Sequence, residues 1–91
     1  MKRYAYTVTG IVQGVGFRYF TKRTADLLHL TGWVRNAEDG SVEGEVQGDD
    51  AVCRSFFERL RSGPSYALVE NVVISERPSL QNDRGFSITG Y

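Results

Sequence analysis

Two short stretches hold residue types that could do chemistry together. The first is Gly10-Ile11-Val12-Gln13-Gly14-Val15-Gly16-Phe17-Arg18, which closes a strand-like run, passes two glycines and leads into a helix-like run. Glycine accepts the positive φ angles that let successive backbone N–H groups curl toward one point. The N-terminus of the following helix adds unpaired N–H groups and a partial positive charge. Arg18, in the first turn, adds a planar fork of donors and a permanent charge. The expected product is a cup for one phosphate-sized anion, its backbone donors running from Val15 through Gly16 and Phe17 to Arg18. Gln13 and Gly14 shape the loop, and Val15 and Phe17 turn inward or pack beneath it. The second stretch is Gly32-Trp33-Val34-Arg35-Asn36, followed by Asp39-Gly40.

Locally, both stretches also have plainer readings. A Gly-x-Gly turn before a helix can simply connect two elements. Arg18 could be a surface ion-pair partner, and an asparagine before a turn commonly bonds its own backbone. The loop does not fit nucleotide motifs. A Walker loop needs Gly-Lys-Ser/Thr where Gly16 is followed by Phe17-Arg18, and a dinucleotide fingerprint needs glycine where Tyr19 stands.

The elements that must position these residues follow from periodicity. Tyr4 to Val12 alternates as a strand, with Tyr4, Tyr6 and Val8 on one face. Phe17, Phe20, Thr24, Leu27 and Leu28 recur at helical spacing, while Lys22, Arg23 and Asp26 face water. The helix fades near His29-Leu30-Thr31, and His29 serves its C-terminus. Trp33–Asn36, the turn Ala37-Glu38-Asp39-Gly40 and Ser41–Gln47 make a hairpin. Val42, Gly44 and Val46 share one side of its second strand. Gly48-Asp49-Asp50 supplies a cap for a second helix, whose stripe is Val52, Cys53, Phe56, Phe57 and Leu60 and which ends at Ser62-Gly63-Pro64. Cys53 on that stripe is core packing. Leu68–Glu76 reads as a fourth strand, Pro78–Arg84 as a polar loop and Gly85–Thr89 as a short last strand. This order predicts an α+β ferredoxin-like sandwich, βαββαβ plus a C-terminal strand, with an antiparallel sheet carrying both helices on one face.

The composition bounds the function. At 41% hydrophobic and 24% charged, the 91 residues suit one globular domain over residues 1–91. Eleven basic residues balance eleven acidic ones, which gives no global field for nucleic acid or membrane. The single cysteine excludes an internal disulfide and fits a reducing compartment. No secretion signal or spanning run is found, and a soluble, cytoplasmic monomer is expected.

Gly14-Val15-Gly16-Phe17-Arg18 together with Gly32-Trp33-Val34-Arg35-Asn36 and Asp39-Gly40 resembles the acylphosphatase signature, and the similarity runs over nearly the whole chain. The resemblance implies that Arg18 and Asn36 are catalytic, with Asn36 orienting the attacking water, and that the first strand is central with the last one added at an edge. Arg35 is left as a solvated strand residue. Two positions depart from the family: many members are basic where Ile11 stands, and glycine is frequent where His29 stands.

The chemistry agrees with that resemblance. Neither motif contains a cysteine or serine nucleophile, a metal-ligand cluster or a histidine base. A phosphate monoester would need a proton or a metal for its alkoxide. An acyl phosphate releases a carboxylate whose pKa, about 4–5, lies near that of Glu, and it departs unprotonated. Holding the phosphoryl group and placing a water then suffice. The expected activity is hydrolysis of a small-molecule acyl phosphate to carboxylate and inorganic phosphate, without cofactor, metal or covalent intermediate, and inhibited by phosphate or sulfate. Two rivals are a domain that binds an anion without turnover and an RNA-binding sheet. The latter stacks bases on central-strand aromatics, which Ser41–Gln47 lacks.

Overall fold

The computed structural model describes residues 1–90; Tyr91, the last residue of the expected domain, lies outside them. The elements run β1 (Lys2–Ile11), α1 (Phe17–Leu27), β2 (Thr31–Asn36), β3 (Val42–Gly48), α2 (Asp50–Ser62), β4 (Leu68–Arg77) and β5 (Phe86–Ile88). They build a five-stranded sheet in the order β4-β1-β3-β2-β5. The ferredoxin-like order, the interior first strand and the edge position of the last strand match the sequence expectation.

The sheet is mixed rather than antiparallel throughout. β1 pairs antiparallel with both β3 and β4, and β2 antiparallel with β3, but β5 lies parallel to β2. β4 stands at one edge and β5 at the other, so the intervening segment must cross the sheet. The crossing is pinned on the helix-free face. Arg3, 3% exposed, donates to Glu45 at 2.6 Å and to Asp83 at 2.7 Å. The Gln47 amide clasps Leu80, donating to its carbonyl at 2.9 Å and accepting from its N–H at 2.8 Å.

Alternation in β1 and β3 sends Tyr6, Val8, Val42 and Val46 under the helices, where they meet Phe17, Ala25, Cys53, Phe56, Phe57 and Leu60. The α2 stripe is as the spacing predicts, with Val52 only partly buried. Its N-cap is Asp49, whose carboxylate accepts from the Ala51 N–H at 3.0 Å. Tyr4 ties this helix start to β1 by donating its hydroxyl to Asp50; that bond, with burial, pushes the phenol up to about 12.

The stripe of α1 differs from the expectation at three positions: Thr21 and Ala25 are buried without having been expected there, and Leu27 is not. Its buried residues are Phe17, Thr21, Thr24 and Ala25, whereas Leu27 is 65% exposed. The two threonines can face the core because each hydroxyl donates back to a carbonyl one turn earlier, Phe17 O and Phe20 O, both at 2.8 Å. With Thr21 and Ala25 filling the core side, Leu27 falls on the wet flank.

Candidate active site

The loop after β1 is built as its glycines require. Gly14 and Gly16 take φ of 74° and 78° in the left-handed region, and Gly16 is the N-cap of α1. Phe17 packs beneath at 1% exposure, and Val15 packs partly against the same core. That anchorage curls the backbone outward. Among the described residues, no N–H from Gly14 to Tyr19 finds an acceptor within the chain; the first helical bond is Phe20 N–H to Gly16 O at 3.0 Å. No side chain caps this helix start, and no acidic residue occupies its first turn. A row of donors at the positive end of a helix is left open.

Arg18 lies in that first turn, half-buried, and enters no ion pair among the described residues. By contrast Arg35, read from sequence as merely solvated, is held in place. It pairs with Glu43 at 2.7 Å and lies over the Trp33 ring, 5.2 Å from its centroid.

Asn36 ends β2, opposite Val42 of β3. Its neighbours make a rigid turn. Ala37 N–H donates to Ser41 O at 2.8 Å. The Ser41 hydroxyl and N–H both donate to Asp39 Oδ1, at 2.6 and 3.0 Å, and lower the Asp39 pKa, the hydroxyl most. Asn36 does not satisfy its own backbone as a local turn asparagine would. Its Oδ1 is buried and has no hydrogen-bond partner among the described residues. A buried acceptor without a donor costs free energy.

One contact joins the two halves, and no local signal could have revealed it. Gln13 Nε2 donates to Ala37 O at 2.8 Å and to Ser41 O at 2.9 Å, so the side chain next to the cup grips both ends of the hairpin turn. Gln13 and Asn36 both line an open cleft of about 770 Å³ that continues past Arg35 and Glu43. Arg18 does not line this cleft, and it makes no direct hydrogen bond to Asn36. The cup lies beside the cleft. Among the described residues, no group of three or more His, Cys, Asp or Glu is placed to hold a metal ion, and no helix is long and apolar enough to cross a membrane.

The Acylphosphatase family model matches residues 4–88. The acylphosphatase of Moorella thermoacetica is 52% identical over 69 residues, covering 76% of this chain and 74% of that one. The acylphosphatase of Bacillus subtilis is 41% identical over 88 residues, 97% of each chain. A crystal structure of acylphosphatase from Bacillus subtilis matches with a TM-score of 0.95 at 40% identity, over 99% of this chain and all of that one. A family match over nearly the whole sequence, on a fold that agrees from end to end, means that this protein belongs to the acylphosphatase family.

Proposed function

We propose that the open row of N–H groups from Val15 to Arg18, the Arg18 guanidinium and Asn36 together carry this family's reaction, the hydrolysis of acyl phosphates to a carboxylate and inorganic phosphate. The observation that carries the assignment is the set of backbone donors from Gly14 to Tyr19 with no acceptor among the described residues and no carboxylate in their turn. Those donors and Arg18 grip the phosphoryl oxygens, where charge must be held as the bond to the leaving carboxylate lengthens. The Asn36 amide, on the wall of the cleft beside the cup, orients the attacking water so that a lone pair of that water faces phosphorus. The water oxygen bonds to phosphorus as the P–O bond to the acyl group breaks. An amide cannot take a proton, so the water's proton passes to a phosphoryl oxygen or to solvent. The carboxylate leaves as an anion, which removes the need for an acid or a metal.

The chain acts as a single domain and a monomer in a reducing, cytoplasmic compartment, consistent with a buried Cys53 whose thiol is pushed by burial up to about 11. Phosphate and sulfate inhibit by filling the cup. RNA is a poor partner for this sheet: Tyr6 is 2% exposed beneath the helices, and β3 has no aromatic residue.

Replacing Asn36 by Ala tests the reading. Turnover falls by about 10²–10³-fold while inhibition by phosphate is unchanged, because Asn36 serves the water and not the anion. Chelators leave the rate as it is. A parallel collapse of phosphate binding would make Asn36 a ligand to the anion or a structural residue.

A further inference from the structure

The side of the cup on which the acyl group leaves follows from the sheet order, given the assignment of the water to Asn36. In-line displacement places the attacking and leaving oxygens on opposite sides of phosphorus. The cup hangs from the end of β1, and β1 has β3 on one flank and β4 on the other. Asn36 and its hairpin stand on the β3 flank, tied there by Gln13. The leaving group therefore points across β1, toward the start of β4.

That flank is built differently from the hairpin side. The β1–β4 register shifts between Thr9 and Gly10, so that Gly10 meets Val69 and Ile11 meets Leu68. At Gly10 the two backbones approach so closely that a Cβ there would come within 2.1 Å of Leu68 O. The shift and the close approach set Leu68 directly beside Ile11, two residues before Gln13. Ile11 and Leu68 are each 58% exposed, and Tyr66 is 85% exposed. The core does not account for these three large apolar side chains, left in water at the end of β1 and around the start of β4. No cation lies between Ser65 and Asn71, and the one charge in that run is Glu70. A second carboxylate on a substrate would find no partner here and would meet a like charge, whereas an apolar group would find a surface to cover.

We propose that Ile11, Leu68 and Tyr66 form the acyl subsite, and that the enzyme selects acyl phosphates whose acyl group is apolar and uncharged, aromatic or branched, over those carrying a second carboxylate. The test compares kcat/KM for benzoyl, acetyl and succinyl phosphate. Wild type favours benzoyl over succinyl phosphate by about tenfold or more. The double variant Ile11→Ser/Leu68→Ser lowers the benzoyl-to-acetyl ratio by about three- to tenfold, and Ile11→Lys moves the succinyl-to-benzoyl ratio upward by about tenfold. The inhibition constant of phosphate stays constant in both, which shows the cup intact. A double variant with an unchanged benzoyl-to-acetyl ratio overturns the subsite alone. So does Arg35→Ala shifting the ratio instead, because that places the acyl group on the hairpin flank. If wild type hydrolyses none of the three, the reading of the cup falls, and the subsite with it.

Discussion

Replacing Gln13 by Ala probes the joint between the two halves of the site. Its amide donates at 2.8 and 2.9 Å to Ala37 O and Ser41 O. Neither carbonyl is orphaned by the change, since Ser41 O keeps the Ala37 N–H at 2.8 Å and Ala37 O the Gly40 N–H at 3.3 Å. The loss is thus two ordinary hydrogen bonds, about 2 kcal/mol. For a domain of this size it lowers Tm by about 8–16 °C. The kinetic effect is of another kind. With the tether cut, cup and hairpin are positioned independently, and a misplacement of about 1 Å costs about 10²-fold in rate. kcat for benzoyl phosphate should fall by about 10–10²-fold, with phosphate inhibition changing less than about threefold, because the N–H donors remain. Gln13→Glu should be worse on both counts, since a carboxylate cannot donate and would face two carbonyl oxygens. The decisive assay is the double variant with Asn36→Ala. If the tether works through Asn36, adding Gln13→Ala to Asn36→Ala costs little further turnover. Fully multiplicative losses, or a Gln13→Ala enzyme with lowered Tm and native kcat, would refute the reasoning.

Three further outcomes are expected. Arg18→Ala lowers turnover by about 10³-fold or more, and Arg18→Lys recovers little of it, because a point charge lacks the planar fork; steady-state rates at saturating substrate decide this. His29→Gly raises stability by about 0.5–1 kcal/mol and Tm by about 2–8 °C in a thermal melt, since an exposed L-residue held at φ 56° gives way to one that takes this angle without strain. Asp83→Asn weakens the Arg3 clamp by about 1.5–3 kcal/mol at pH 7. Burial alone would raise the Asp83 pKa, but hydrogen bonds from Arg3 and Thr31 and the Arg3 charge outweigh it and hold it below the ordinary value of 3.8. The stability it contributes is therefore present above about pH 4 and is lost as pH falls through the lower, folded value. Melts of wild type and variant should converge below that window.

Much of what depended on residues close in sequence was legible before the fold was known. The glycines at 14 and 16 announced positive φ, Asp49 announced a cap, and Val42, Gly44 and Val46 announced the inner face of β3; each rests on one or two dihedral angles or on a period of two. What escaped depends on partners far along the chain or on a competition between neighbours. The Arg3 clamp has no local signal, because Asp83 lies 80 positions away. The Gln13 tether spans 24 and 28 positions. Leu27 was read into the core because hydroxyl back-bonding, which lets Thr21 take that space, has no hydropathy signature. His29 shows a third way of escaping. It takes the left-handed angle that glycine usually fills, and the chain still closes α1 through Leu30 N–H to Ala25 O at 2.9 Å and His29 N–H to Asp26 O at 3.1 Å. Here the cap geometry outweighed the residue's own preference.

The interior position of β1 also bears on how the chain reaches this structure. Its residues are made first, yet one of its two neighbours is β4, so that Arg3 must wait for Arg77 and Ile11 for Leu68. A growing chain can close α1, the hairpin and α2 while β1 still has one bare edge. At a synthesis rate of about 5–20 residues per second, that edge stays open for seconds before its partner emerges. Pairings between such distant segments carry a loop-closure cost that local contacts do not repay, so they come late and slow the folding rate. The anion cup hangs from the end of this strand. Anion binding thus reports the last step of assembly, and phosphate protection followed during refolding should appear together with β1–β4 pairing, after the helices have formed.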